Sequence, residues 1–421
     1  MFLKTVLENN LRIITAPMHG TNTVTILVMC DTGADNETPK EAGISHFLEH
    51  MLFKGTKRRP TPQHIKNELD SMGSISNAFT GHEMTGYFIK VGHVYLERAL
   101  DLMADIYSNS LLDPKEIGRE RQVILEEVHM IHDTPERFIG HVYEELLYGG
   151  QPAGRDVLGT EENIKTFTAG QFRSYFTRQY TAENTVVIVA GNFNESSVTK
   201  KIGRLFGGSP VAGSRPKAAF RESQKNPAVK LHYKKTDQSH LIIGFRAYDA
   251  HYQERYAADM LATILGGNWS SRMWDVIRDR LGLAYHVQTW NDTYSNRGYL
   301  ATYMGVAHKN IEKAISAAVG EFRKIVASPV SEKELMRAKD YVKGTSLIAL
   351  ESSSSVANFV GIEEVVTRKP LTIQEVFAKI DRVTSRDVQA VARKVIKPAG
   401  FNLAVVGPFR DSTKFTKLLR M

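Results

Sequence analysis

Hydrophobic and polar positions follow two different rhythms along the 421 residues. NTVTILVMC (22–30), HLIIGFRAY (240–248) and YLATYMGV (299–306) are short, β-branched and almost continuously apolar, which predicts buried strands. SNAFTGHEMTGYFIKV (76–91) also reads as strand. Elsewhere apolar residues recur every three to four positions, over 63–72, 94–110, 114–132, 168–179, 253–265 and 310–326. That is the spacing of helices with one buried face. Strands and helices do not alternate regularly. The pattern therefore predicts an α+β fold, each sheet mixed or antiparallel with helices packed on one face.

The rhythm occurs twice. TAGQFRSYFTRQYTAENTVVIVAGNF (168–193) aligns with TSRDVQAVARKVIKPAGFNLAVVGPF (384–409) at a constant offset of 216, without a gap. Each reads as an amphipathic helix, a polar turn, a buried strand and Gly-x-Phe. A gapless register at half the chain length predicts an internal duplication. Between the halves, FGGSPVAGSRPKAAFRESQKNPAVK has the Gly, Pro, Ser and Lys of a linker. The expected division is a domain at 1–206, a linker at 207–228 and a homologous domain at 229–421.

Composition narrows the classes. Apolar residues at 42% and charged residues at 24% are ordinary for a globular chain. Cys30 is the single cysteine, so internal disulfides and cysteine zinc clusters are excluded, as suits a reducing compartment. No apolar run reaches membrane-spanning length, and the N-terminus lacks the pattern of a targeting segment. A cytoplasmic protein is expected, without a membrane partner. The net charge of +8 is spread along the chain and no nucleic-acid motif accompanies it, so no nucleic-acid partner is expected.

GISHFLEHMLFKG (43–55) breaks the apolar pattern with chemistry. On a helix, His46 and His50 share a face, with Glu49 on the same side. Two imidazoles at that spacing reach one metal ion, and the glutamate stands where a base would take a proton from water. Histidines satisfied by hydrogen bonds are the other reading, but Phe47, Leu48, Met51 and Leu52 surround the trio and call for a strong partner. In DPKEIGRERQVILEEVHMIHD (113–133), Glu120 and Glu127 lie on the apolar stripe of Ile117, Ile124, Val128 and Ile131, whereas Glu126 points off it. Zinc would satisfy Glu127, and Glu120 would orient a ligand from behind; an ion pair with Arg119, Arg121 or another helix is the alternative. Two histidines and a carboxylate leave a fourth position open, the catalytic pattern.

Together these stretches resemble the inverzincin metallopeptidases of the pitrilysin family, most closely the short bacterial type similar to the mitochondrial processing peptidase β subunit. The resemblance rests on His46-Phe47-Leu48-Glu49-His50, then 76 residues, then Glu127, on SNAFTGHEMTGYF and on RERQVILEEV. It implies a zinc metalloendopeptidase that binds one Zn2+ per chain through His46, His50 and Glu127. Glu49 would be the general base and Glu120 the carboxylate behind the ligands. Asn77, Ala78 and Phe79 would lie on an edge strand that binds peptide, with Asn77 facing the scissile bond. Arg278 and Tyr285, in RDRLGLAY of the metal-free second half, would grip the substrate backbone. The partners implied are short or unfolded peptides, cut in a closed chamber, and a second copy of the chain. With the zinc motif and the Arg/Tyr pair on one chain, a homodimer is expected. The family also holds non-catalytic core subunits and catalytic halves of heterodimers. The Ser-rich ALESSSSVANFVG (349–361) departs from the glycine-rich loop of the processing-peptidase α subunit.

Overall fold

The computed structural model describes residues 2–211, 213 and 215–419, so 212 and 214 of the expected linker lie outside the described residues. The strands are β1 (Leu3–Val6), β2 (Arg12–Pro17), β3 (Thr23–Cys30), β4 (Ile75–Thr80), β5 (Thr85–Gly92), β6 (Thr185–Gly191), β7 (Ala228–Tyr233), β8 (Ser239–Ala247), β9 (Ala284–Thr293), β10 (Gly298–Val306) and β11 (Asn402–Gly407). One sheet runs β1-β2-β6-β3-β5-β4 and the other β7-β11-β8-β10-β9. Without β1, the two orders correspond strand for strand. Each contains one parallel pair, β2 with β6 and β11 with β7; the other pairings are antiparallel. The fold is α+β with two mixed sheets, and the stretch 76–91 proves to be the β4–β5 hairpin.

The offset of 216 survives in atomic detail. Thr168 caps the helix Ala169–Gln179, and Thr384 caps Ser385–Val395. Both are reciprocal boxes: Gln171 Oε1 accepts from Thr168 N at 2.9 Å, and Asp387 Oδ2 accepts from Thr384 N at 2.8 Å. Each helix then feeds the parallel strand of its sheet, β6 or β11.

The chain divides into two compact units, neither continuous in sequence. One gathers the residues up to Val128, Asp156–Ala218 and Leu347–Thr372; the other gathers His129–Arg155, Ala219–Ser346 and the chain from Ile373 onward. Besides the helices expected on one face, each sheet is covered on its other face by a helix from the opposite half of the sequence. Ser353–Thr367 lies on β2, β3 and β6, packing Ala357, Val360 and Val365 against Ile14, Leu27, Met29 and Ile188. Polar contacts fix both ends of that helix. Ser353 Oγ lies 2.8 Å from Thr25 Oγ1, and the fully buried Glu364 accepts from Arg12 Nη1 at 3.1 Å and Lys4 Nζ at 2.8 Å. In the other unit, Pro135–Tyr148 packs Ile139, Val142 and Tyr143 on Ile242, Ala301 and Val406.

The expected linker carries no helix or strand among its described residues until β7 begins at Ala228. Its first part is nonetheless fastened to the first unit. Arg215 pairs with Glu41 at 2.7 Å and Lys217 with Asp31 at 2.7 Å.

Candidate metal centre

The helix Ile44–Met51 is short and fixed at both ends. Ile44, Phe47, Leu48 and Met51 form its fully buried stripe, with the Phe47 ring packed edge-on against Phe172 at 4.9 Å. Gly43 precedes it at φ +95°, where a side chain would also meet Leu158 O at 2.6 Å. Glu37 caps the start: its two carboxylate oxygens accept from Gly43 N at 2.9 Å and Ser45 N at 2.8 Å. A tight turn, Leu52–Lys54, follows, and Gly55 ends it at φ +133°.

This frame presents His46, Glu49 and His50 to the helix Pro114–Asp133. Along the stripe expected on that second helix, Ile117, Glu120, Ile124 and Val128 are buried, Glu127 and Ile131 are half-buried, and Glu126 is exposed. Glu127 Oε2 lies 3.6 Å from His46 Nε2 and 3.5 Å from His50 Nε2. Those separations are too long for hydrogen bonds. Two ligands 2.0–2.1 Å from a tetrahedral zinc stand about 3.3 Å apart, so the trio fits one ion. Among the described residues this is the single group of three His, Cys, Asp or Glu side chains close enough to hold a metal.

The surroundings set the protonation. Burial, with His50 alongside, pushes the His46 imidazole down to about 4, so it is neutral and able to ligate. For His50 burial opposes the charge, but the hydrogen bond to Glu120 and the carboxylates of Glu49 and Glu127 outweigh it and raise the value. Burial and the nearby Glu127 raise the Glu49 carboxyl, against the hydrogen bond from Thr80 and the His50 charge. Glu120 is buried too, yet His50 and Lys54 hold its carboxyl below the usual range. His50 Nδ1 lies 2.9 Å from Glu120 Oε1, and Lys54 Nζ lies 2.5 Å from Glu120 Oε2. Of the ion pairs expected as the alternative, one with another element does form, between Glu120 and Lys54, whereas the two arginines are engaged elsewhere. Arg119 binds Glu116, and Arg121 donates to the carbonyls of Ile164 and Phe167.

Thr80, the last residue of β4, donates to Glu49 Oε2 at 2.6 Å. β4 is the terminal strand of its sheet, so Asn77, Ala78 and Phe79 lie on an edge as expected. Asn77 is exposed, and its Oδ1 accepts from Ala78 N at 2.9 Å. His46, Glu49, His50, Glu120, Glu127 and the β4 residues thus come together in one unit. Arg278 and Tyr285 belong to the other. There the Arg278 guanidinium lies 4.2 Å from the Trp274 ring centre and 5.1 Å from that of Tyr285, which is 83% exposed. Two contributors had no assigned role in the sequence reading. Lys54 could have been found from its place four residues after His50 on a helical face, whereas Thr80 meets Glu49 only through the fold.

Residues 12–161 match the family model described as Insulinase (Peptidase family M16), and residues 166–342 match that of the Peptidase M16 inactive domain. The chain is 34% identical over 403 residues to an uncharacterized zinc protease of Rickettsia bellii, covering 96% of each chain. It is 32% identical over 402 residues to the uncharacterized zinc protease YmxG of Bacillus subtilis, covering 95% of this chain and 97% of that one. In fold it matches the crystal structure of a protease from Helicobacter pylori with a TM-score of 0.91 at 22% identity, over 97% of this chain and 99% of that one. Paired family models on the two halves, and relatives matched over nearly their whole length, lead to one conclusion: the chain belongs to peptidase family M16, the insulinase or pitrilysin family.

Proposed function

We propose that the protein is a zinc-dependent endopeptidase that hydrolyses short or unfolded peptides in a closed chamber, working as a homodimer. The observation that carries this reading is the spacing of His46 Nε2, His50 Nε2 and Glu127 Oε2, too wide for hydrogen bonds and suited to a shared ion. These three side chains would hold one zinc per chain. When bound, zinc makes water nucleophilic near neutral pH and polarises a peptide carbonyl.

The protein's own groups then move the protons. Glu49 Oε2 is held by Thr80, which leaves Oε1 to take a proton from the attacking water and return it to the leaving amine nitrogen. Its raised pKa suits that exchange, since a group that both accepts and gives a proton works best near the operating pH. Glu120 Oε1 lies 2.9 Å from His50 Nδ1, and with the proton held on Nδ1 the Nε2 lone pair would face Glu127. Peptide adds to the free edge of β4 as a further strand, through main-chain hydrogen bonds around Asn77, Ala78 and Phe79. Arg278 and Tyr285 hold the substrate backbone.

Metal content and cleavage of a mixed peptide library test this directly. The purified protein should carry about one zinc per chain, lose hydrolysis on chelation and regain it with zinc. Full hydrolysis by the metal-free protein, or none by the zinc-loaded one, would refute the proposal.

A further inference from the structure

Lys54 is the charged residue at the centre that the reaction does not use. It closes the turn Leu52–Lys54, four residues beyond His50, so neighbouring positions of one helical face present both side chains to Glu120. The backbone carrying it is fixed. Gly55 has φ +133° with Pro60 O only 2.8 Å from any added Cβ, and Leu111 N donates to Gly55 O at 3.0 Å.

Glu120 is 7% exposed, and one oxygen meets each partner: Oε1 lies 2.9 Å from His50 Nδ1 and Oε2 lies 2.5 Å from Lys54 Nζ. A buried carboxylate with one partner has a second oxygen unsatisfied, and the group turns until that oxygen is served. The ammonium removes that freedom. The orientation matters because an imidazole offers Nε2 as a lone pair only while Nδ1 carries the proton, and the acceptor at Nδ1 selects that tautomer.

We propose that Lys54 is a positioning residue for the metal centre: its ammonium fixes the Glu120 carboxylate, and that carboxylate holds His50 as the Nδ1–H tautomer with Nε2 turned towards Glu127. The inference rests on the zinc reading above and extends it to a side chain that acts through Glu120 and His50. The plainer role for Lys54 is a tie between two helices, which would affect stability alone.

The test compares the full chain with Lys54→Met, Lys54→Arg, Glu120→Gln and the Lys54→Met/Glu120→Gln double variant. Zinc affinity is read by chelator competition. The His50 tautomer is read from nitrogen–proton NMR correlations in the metal-free protein at alkaline pH, where the imidazole is neutral. Lys54→Met should weaken zinc binding about 10–100-fold and mix in the Nε2–H tautomer. Lys54→Arg, which keeps the charge, should stay within about threefold of the unaltered chain. The double variant should bind zinc no more weakly than Glu120→Gln alone, because both changes break one chain of contacts. It also leaves no uncompensated buried carboxylate, so the comparison stands even where Lys54→Met fails to fold. A Lys54→Met protein that melts earlier but keeps normal zinc affinity and the Nδ1–H tautomer would overturn the proposal, as would losses that multiply in the double variant. An unaltered chain that binds no zinc would overturn the zinc reading along with it; unaltered binding that Lys54→Met leaves intact overturns this inference alone.

Discussion

Glu126 and Glu127 are chain neighbours in different surroundings: Glu126 is exposed, and Glu127 faces His46 and His50 across 3.6 and 3.5 Å. One helical step of about 100° makes that difference, and the apolar stripe of the helix showed it in the sequence. Glu127→Gln should therefore weaken zinc binding by about 10–100-fold or more, since a charged ligand outweighs the surrounding contacts whose loss already costs that much. Glu126→Gln should leave binding unchanged, and chelator competition on both variants measures the contrast. If the Glu126 change releases the metal and the Glu127 change does not, the ligand assignment is reversed. The motif residues were legible because a polar trio inside an apolar run needs a reason. Thr80 was not, because its contact with Glu49 joins residues 31 apart through the fold and leaves no periodic trace.

At the scale of elements, the caps carry the argument. Glu37 anchors the start of the motif helix through Gly43 N and Ser45 N. Burial, against those two hydrogen bonds, pushes its carboxyl from 4.5 up to about 7. The folded protein thus holds that proton more tightly than the unfolded chain. The resulting stability is complete below about pH 4.5 and lost as the pH rises through about 7. Glu37→Gln cannot titrate, so the stability of the unaltered chain relative to this variant should fall by about 3 kcal/mol between pH 4.5 and 8, measured by denaturant unfolding. A difference independent of pH would refute the shift. The helix Ser353–Thr367 offers a second case. Glu364→Ala would strand the buried Arg12 charge and should cost about 3–5 kcal/mol, whereas Arg12→Met with Glu364→Leu should cost far less. Equal losses in the two unfolding curves would contradict that. The duplicated helix–strand units were legible because cap, period and strand repeat at a fixed offset. The exchange of helices between the halves was not. Their buried positions show that a helix has a core face but not which sheet it covers.

At the scale of the molecule, the duplication sets the plan and the function is unequal between its copies. The strand order repeats, yet among the described residues the group that could hold a metal lies in one unit, and Arg278, beside the Trp274 and Tyr285 rings, lies in the other. If peptide held by Arg278 and Tyr285 of one chain is cut at the metal centre of a second copy, two inactive variants should complement each other. Mixing Glu49→Gln protein with Arg278→Ala/Tyr285→Ala protein, with mixed dimers confirmed by mass, should restore up to about one working site per dimer. No rescue in confirmed mixed dimers would exclude a site shared between chains while leaving the zinc chemistry intact. The central claim is that Glu49 moves the proton at a zinc held by His46, His50 and Glu127. Turnover by zinc-loaded Glu49→Gln tests it most directly, because the amide keeps the shape and removes the base. The variant should retain about one zinc per chain and cleave peptide about 10²–10⁴-fold more slowly; zinc-loaded Glu49→Gln that cleaves at close to the normal rate would contradict it.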